Sequence, residues 1–100
     1  MTASEVLRNA RALIEKPENW TRYLYARDAK GNNAVPQSEE ACAWCALGAI
    51  TRVGGYEKAA PVLKRLVRDA DVPHFNDTKS HAEVLDLFDR AIAAAEARGE

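Results

Sequence analysis

Residues 41–51 form an uncharged run that contains both cysteines and one of the two tryptophans of the chain. At about 100° per residue, Cys42 and Cys45 fall on one side of a helix, and Trp44 and Leu47 fall on the opposite side. A helix that is apolar on both sides is normally enclosed by the rest of its domain. The run therefore predicts a helix at the centre of the fold, with the other elements packed around it.

Capping signals predict where the first and last helices begin. Thr2 with Glu5, and Ser80 with Glu83, both fit the capping box, in which a hydroxyl and a carboxylate three residues later satisfy each other's backbone amides. The first helix is expected to end before Pro17, because the residue before a proline is disfavoured in helical geometry. The apolar face of the last helix is predicted to comprise Val84, Leu85, Phe88, Ala91, Ile92 and Ala95.

Between these two, the sequence predicts a central helix and a third helix. Ser38 is the expected N-cap of the central helix, and Gly54 with Gly55 is the expected stop. The third helix is indicated by apolar residues at helical spacing: Tyr56, Ala59, Ala60, Leu63, Leu66, Val67 and Ala70. Pro61 implies that this helix either starts near Ala60 or kinks. Residues 72–77 are predicted to be a loop.

A small β-hairpin is predicted between the first two helices. Trp20–Arg27 is the expected first strand, because Tyr23, Leu24 and Tyr25 favour strands, and Asp28–Asn32 offers turn residues after it. Asn33–Val35 is the expected second strand. The whole chain, residues 1–100, is thus predicted to be one mainly α domain, with about four helices around a central apolar helix and one small hairpin.

Composition restricts the class of protein. Hydrophobic residues make up 47% and charged residues 29% of the chain, and the formal net charge is −1, which is typical of a soluble globular domain. Near-neutral charge disfavours a dedicated binder of the nucleic-acid backbone. No apolar run approaches the roughly 20 residues that span a bilayer. Two cysteines three residues apart form a poor disulfide framework, so a cytoplasmic location without membrane association is expected.

The spacing of Cys42 and Cys45 is compatible with metal binding, redox chemistry or a nucleophile. The favoured interpretation is that both are buried free thiols. A structural zinc site needs further ligands, and the spacing of His74 and His81 is wider than zinc sites use. No metal or cofactor is therefore expected. His81 lies on the apolar side of the last helix, where we expect a partly buried side chain with a satisfied hydrogen bond.

A small cysteine-dependent enzyme or redox protein is the alternative class. Cys42 would lie in the first turn of the central helix, where the helix dipole lowers the pKa of a thiol. His74 would act as the base and Asn76 would orient it, while Cys45 is a second candidate thiol. The competing interpretation is that Asn76 and Asp77 cap a helix or close a turn. On balance the sequence favours a protein that is not an enzyme.

Partner binding is predicted at the aromatic segment before the turn. Tyrosine and arginine are enriched among interface hot spots. On a strand, Tyr23, Tyr25 and Arg27 share one face, because side chains alternate with a period of two. The alternative is that the tyrosines cover the core and Arg27 pairs with an acid. A protein partner is expected, and a homo-oligomer remains open.

A second alternative is weak nucleic-acid binding through the third helix. Lys58, Lys64, Arg65 and Arg68 gather opposite its apolar stripe, which suits phosphate contacts. No recognised binding motif accompanies them, so a solvated helical face is the favoured interpretation and nucleic acid is an unlikely partner.

The chain resembles a family of small bacterial and phage proteins of unknown function. The resemblance rests on the Cys-containing, Gly-Ala segment 41–50, on Asn76-Asp77 before the last helix, on segment 83–92 and on Asp28 to Gly31. It implies a bacterial or phage cytoplasmic setting and carries over no activity or catalytic residue. By analogy with short phage and mobile-element proteins that block host machinery, it suggests a non-enzymatic interaction module that inhibits a host protein.

Overall fold

A computed structural model describes residues 1–68 and 71–100, which form five α-helices and a two-stranded antiparallel sheet. The helices are α1 (Ala3–Leu13), α2 (Ala46–Val53), α3 (Tyr56–Val67), α4 (Val72–Thr78) and α5 (His81–Ala97), and the strands are β1 (Ala26–Arg27) and β2 (Ala43–Trp44). A short 3-10 helix, Pro17–Asn19, follows α1. The mainly α class, with a small β element between α1 and α2, is confirmed, whereas five helices replace the predicted four.

Both predicted capping boxes are present. At α1, the Glu5 amide donates to the Thr2 hydroxyl at 3.2 Å and the Thr2 amide donates to the Glu5 carboxylate at 2.8 Å. At α5, the amides of Glu83 and Ser80 make the same two bonds, each at 3.1 Å. The bonds that the Thr2 and Ser80 amides donate to the two carboxylates lower the pKa values of Glu5 and Glu83 from the usual 4.5.

The predicted loop at residues 72–77 is a helix instead. Asp71 caps α4, since its carboxylate accepts from the His74 amide at 2.7 Å. Pro73 lies in the first turn, where a missing amide proton leaves no hydrogen bond unmade. Val72 and Asn76, four residues apart, are both buried and therefore fix one side of this short helix against the core.

The uncharged run is divided between a strand and a helix, so the predicted start of α2 at Ser38 is wrong. Residues 43–44 pair with residues 26–27, with Ala26 opposite Trp44. The Cys45 amide donates to the Tyr25 carbonyl at 3.2 Å, which continues this ladder. Because the ladder uses these backbone groups, α2 begins only at Ala46, after Cys45 as its N-cap.

The predicted hairpin is present only in part, for the same reason. The first strand, predicted within Trp20–Arg27, is confined to Ala26–Arg27, and its partner is β2. The predicted second strand, Asn33–Val35, contributes a single bridge between Asn33 and Arg27. The partner strand, β2, lies in the segment that was predicted to be helical from its apolar periodicity.

α3 begins at Tyr56 and continues through Pro61 without a break. Pro61 and Glu57, four residues earlier, are both exposed, so water can reach the carbonyl that Pro61 leaves without a donor. In the predicted stripe, Tyr56 is exposed and Leu66 half-buried, while the buried members are Ala59, Ala60, Leu63 and Val67. Ala70, the last member of that stripe, lies outside the described residues.

The core is built around α1 and α2. α1 packs against α2, α3 and α5, and α2 packs against α1, α3 and α4. All of residues 46–50 are buried, as expected for an enclosed helix. The α5 face is confirmed at Phe88 and its neighbours, with the buried Leu87 in place of the half-buried Leu85. Within residues 1–68 and 71–100, no helix has the length and apolar character needed to cross a membrane.

Candidate functional site

Asn76 connects three segments that are distant in the sequence. Its side chain is only 1% exposed. The Trp20 indole and the Ala46 amide donate to Asn76 Oδ1 at 2.8 and 3.0 Å. Asn76 Nδ2 donates to the Thr21 carbonyl at 3.0 Å and to the Asp77 carboxylate at 3.2 Å. Both donor and both acceptor positions of the amide are therefore used, and Asn76 caps α2 rather than α5.

Asp77 holds the backbone of the neighbouring segment in an uncommon conformation. The Tyr23 amide donates to Asp77 Oδ1 at 2.9 Å. Tyr23 has a φ of 71°, in the left-handed region that side chains other than glycine seldom adopt. Strained residues of this kind persist when surrounding contacts fix them, and they cluster at functional sites.

A cleft of about 210 Å³ opens beside this segment. Its walls are formed by Tyr23, Leu24, Tyr25, Cys45, Pro73 and Asp77. The ring-bearing side chains of Tyr23 and Tyr25 are 76% and 55% exposed, which makes them two of the most exposed large apolar residues described. We call these six residues the tyrosine cleft.

Close backbone packing fixes the floor of the tyrosine cleft. The Tyr25 carbonyl lies directly over α2, where a Cβ added to Gly48 would meet its oxygen at 1.7 Å. The same oxygen accepts the Cys45 amide at 3.2 Å. Only glycine at position 48 permits this approach, because a side chain there would clash with the Tyr25 carbonyl. The backbone of Tyr25 therefore packs directly on the backbone of α2.

Cys45 is a buried capping residue. Its Sγ accepts from the Gly48 amide at 3.3 Å, and the residue is 6% exposed. Burial raises the pKa of the Cys45 thiol, and the charge of Asp77 acts in the same direction. Cys42 lies before β2 and is half-buried, so the predicted position of Cys42 in the first turn of α2 is wrong. Both thiols are free.

Cys42, His74 and Asn76, the residues of the cysteine-enzyme alternative, lie in different environments. His74 is exposed on α4 and lines a separate groove with Arg68. The Asn76 amide is occupied by other partners, and the Cys42 sulfur accepts from the Arg27 guanidinium at 3.8 Å. Among the hydrogen bonds of the described residues, none joins Cys42, His74 and Asn76.

Arg27 does not share an outward face with the tyrosines. It is half-buried, and its guanidinium donates to the backbone carbonyls of Glu18 at 3.1 Å and Asp28 at 3.4 Å. Over residues 1–68 and 71–100, no ion pair joins it to an acid either. Arg27 thus ties the 3-10 helix to the turn, and the two tyrosines are exposed without it.

His81 is satisfied as predicted. Its Nε2 lies 2.7 Å from the Ile14 carbonyl, and its ring packs against the Trp20 ring at 5.3 Å between centroids. Trp20 also carries the Arg22 guanidinium 4.8 Å above its ring, and Arg22 donates to the Lys79 carbonyl at 2.6 Å. These contacts lock the start of residues 20–25, which we call the tyrosine segment, against α4 and α5.

Three of the four basic residues predicted on the third helix line two different grooves. Lys58 donates to the carbonyl of the N-terminal residue, and Arg65 forms a 3.7 Å ion pair with Glu100. Arg68 lines the groove that contains His74, and Lys64 is exposed. Lys58 and Arg65 thus line one groove, and Arg68 lines another.

The sequence did not predict that Asp77, Leu24 and Pro73 line the cleft. It did contain a signal for the burial of the adjacent Asn76: Val72, Phe75 and Asn76 have the spacing of one helical face, which places Asn76 among apolar residues. A buried amide must find hydrogen-bond partners, so this spacing indicates a structural role for Asn76.

A model of one protein family matches residues 1–94 of the chain. The chain belongs to DUF6197, a family of unknown function. This match confirms the resemblance to a family of small uncharacterised domains that the cysteine segment and Asn76-Asp77 indicated. Comparison with curated proteins and with solved structures gives no significant match. The described residues contain no group of three or more His, Cys, Asp or Glu side chains arranged to hold a metal ion.

Proposed function

We propose that this DUF6197 domain is a protein-binding module without catalytic activity of its own, and that the tyrosine cleft is its binding surface. The proposal includes a cytoplasmic setting in a bacterium or phage. Inhibition of a host protein by stoichiometric binding is the form of this function that we favour.

The observation that carries the proposal is the display of Tyr23 and Tyr25 on a fixed backbone. Tyrosine is a frequent hot-spot residue because it buries a large area and still offers a polar group. Both rings are largely exposed, while the Tyr23 amide and the Tyr25 carbonyl are bonded to Asp77 and Cys45. A surface that is ordered before binding loses little conformational entropy when a partner arrives.

Affinity capture from a lysate of the native host tests this proposal. The protein carrying Tyr23→Ser and Tyr25→Ser is compared with the wild type by quantitative mass spectrometry. We expect about tenfold less of the specific partner on the double variant, which corresponds to losing hot-spot contacts. Arg27 is left unchanged, because its contacts are to backbone carbonyls within the fold.

Tyr56→Ser is the matched control, since Tyr56 is 40% exposed on α3, outside the tyrosine cleft. This variant is expected to capture the partner as the wild type does. Undiminished capture by a folded Tyr23→Ser and Tyr25→Ser protein would contradict the proposal.

Catalysis by Cys42 or Cys45 and nucleic-acid binding through α3 stay as alternatives. The raised pKa of the Cys45 thiol, and the placement of Cys45 and His74 in different grooves, give the first little support. The placement of Lys58 and Arg65 in one groove and of Arg68 in another gives the second little support.

A further inference from the structure

Asp77 is a half-buried carboxylate in the tyrosine cleft. Its Oδ1 accepts from the Tyr23 amide and from Asn76 Nδ2. In the part of the chain that the structure describes, no hydrogen bond uses Oδ2 and no Lys, Arg or His forms an ion pair with this side chain. The acids that do have ion-pair partners are exposed: Glu15, Asp86, Asp89, Glu96 and Glu100.

A partly buried carboxylate without a cation has lost some of its hydration and gained no opposite charge in return. Two hydrogen bonds replace the lost hydration of one Asp77 oxygen, Oδ1. Arg22 forms no ion pair with Asp77 in the described structure: its guanidinium lies over Trp20 and donates to the Lys79 carbonyl, and its Nε is buried without a hydrogen-bond partner. A positive group from outside would therefore find an unpaired carboxylate oxygen in the cleft.

The other walls of the cleft suit a long cationic side chain. Tyr23 and Tyr25 supply aromatic faces, which attract ammonium and guanidinium groups through the ring quadrupole. Leu24 and Pro73 supply apolar surface, against which the methylene stem of lysine or arginine packs favourably. A phosphate group, in contrast, would be repelled by the Asp77 charge.

We propose that the tyrosine cleft binds a lysine or arginine side chain of the partner protein. The cationic head pairs with Asp77, the rings of Tyr23 and Tyr25 flank it, and the stem lies along Leu24 and Pro73. This inference rests on the proposed function, because it names the chemistry that the partner presents to the same cleft.

A titration followed by ¹H–¹⁵N NMR tests the inference without knowledge of the partner. The probes are Nα-acetyl-lysine methylamide, Nα-acetyl-arginine methylamide and, as the neutral control, Nα-acetyl-norleucine methylamide. We expect saturable shifts at the amides of Tyr23, Tyr25 and Cys45 with a cationic probe, at millimolar affinity. The norleucine probe should bind at least about fivefold more weakly.

Asp77→Asn removes the charge and keeps an oxygen that can accept from the Tyr23 amide. It should weaken binding of the cationic probe by at least about fivefold. Asp86→Asn, at an exposed acid paired with Arg90 on α5, is the control and should leave the affinity unchanged. Tyr23→Leu with Tyr25→Leu removes the aromatic faces and should weaken binding similarly, which keeps the test decisive if Asp77→Asn does not fold.

Equal binding of the norleucine probe would overturn the inference. So would unchanged affinity in a folded Asp77→Asn protein, or shifts confined to other surfaces. Failure of this inference is distinguishable from failure of the proposed function. If Tyr23→Ser with Tyr25→Ser abolishes capture while Asp77→Asn captures normally, the cleft binds a partner but not through a cation. If cationic probes bind while the double serine variant captures normally, the cleft recognises cations but is not the captured partner's site.

Discussion

Asn76 is the residue on which the geometry of the site depends most directly. Four hydrogen bonds from one buried amide connect α4 with the start of the tyrosine segment and with the first amide of α2. Buried polar groups of this kind contribute little net stability when paired and cost much when one partner is removed. The consequence of truncating Asn76 is therefore predictable.

Asn76→Ala would leave the Trp20 indole, the Ala46 amide and the Thr21 carbonyl without their partner. We expect a loss of roughly 2–5 kcal/mol in the free energy of unfolding, since each unsatisfied buried group costs about 1–3 kcal/mol. Urea denaturation followed by circular dichroism measures this change. Asn9→Ala, at an exposed position on α1, is the control and should shift stability by less than about 0.5 kcal/mol.

Cys45 should react slowly with thiol reagents in the folded protein. Because burial raises the pKa of its thiol from the usual 9.0, less thiolate exists at neutral pH than in a free cysteine. In a Cys42→Ser variant, which isolates Cys45, labelling should be much slower than in the same protein in urea, and it should accelerate only at strongly alkaline pH. Rapid labelling of folded Cys45 at neutral pH would instead favour the cysteine-enzyme alternative.

At the level of secondary structure, the sequence predicted the helix boundaries that depend on interactions between neighbouring residues. The capping boxes at Thr2 and Ser80 located the beginnings of α1 and α5, because each box is complete within four residues. The start of α2 was not predictable from its apolar periodicity, because the ladder that competes with the helix uses partners some seventeen residues earlier. α4 was missed because it spans only residues 72–78 and contains a proline.

Contacts between residues distant in the sequence also explain why the site was only partly predictable. The exposure of Tyr23 and Tyr25 was expected, but on a strand, whereas the structure fixes Tyr23 through a carboxylate 54 residues away. Arg27 was expected beside them and is instead held by backbone carbonyls. Long-range hydrogen bonds of this kind leave no periodic pattern in the sequence.

Gly48→Ala tests how closely two elements approach. The added Cβ would lie 1.7 Å from the Tyr25 oxygen, so the backbone of α2 or of the tyrosine segment must move. We expect a destabilisation of about 1–3 kcal/mol or more, as for overpacked sites, despite the better helix propensity of alanine. Thermal unfolding measures it. A melting temperature equal to or above that of the wild type would show that the segment of Tyr25 does not pack on α2 in this way.

At the scale of the whole molecule, the tyrosine cleft lies where a long connection meets two helices. The connection between α1 and α2 contains few regular elements, yet contacts from α4 and α5 hold it at Trp20, Thr21 and Tyr23, and its own later residues Trp44 and Cys45 hold it at Thr21 and Tyr25. Loops positioned by a rigid scaffold are common carriers of function. The helices of this domain thus serve as the scaffold, and the connection supplies the exposed aromatic surface.

Through their bonds to Tyr23 and Thr21, Asn76 and Asp77 are expected to hold residues 21–25 in one conformation before any partner binds. Backbone ¹⁵N relaxation of the free protein measures this directly, with the amides of α1 as the reference. We expect order parameters of about 0.85 for residues 21–25, equal to those of rigid helical backbone. Values below about 0.6 for Tyr23, Leu24 and Tyr25, beside a rigid α1, would contradict it.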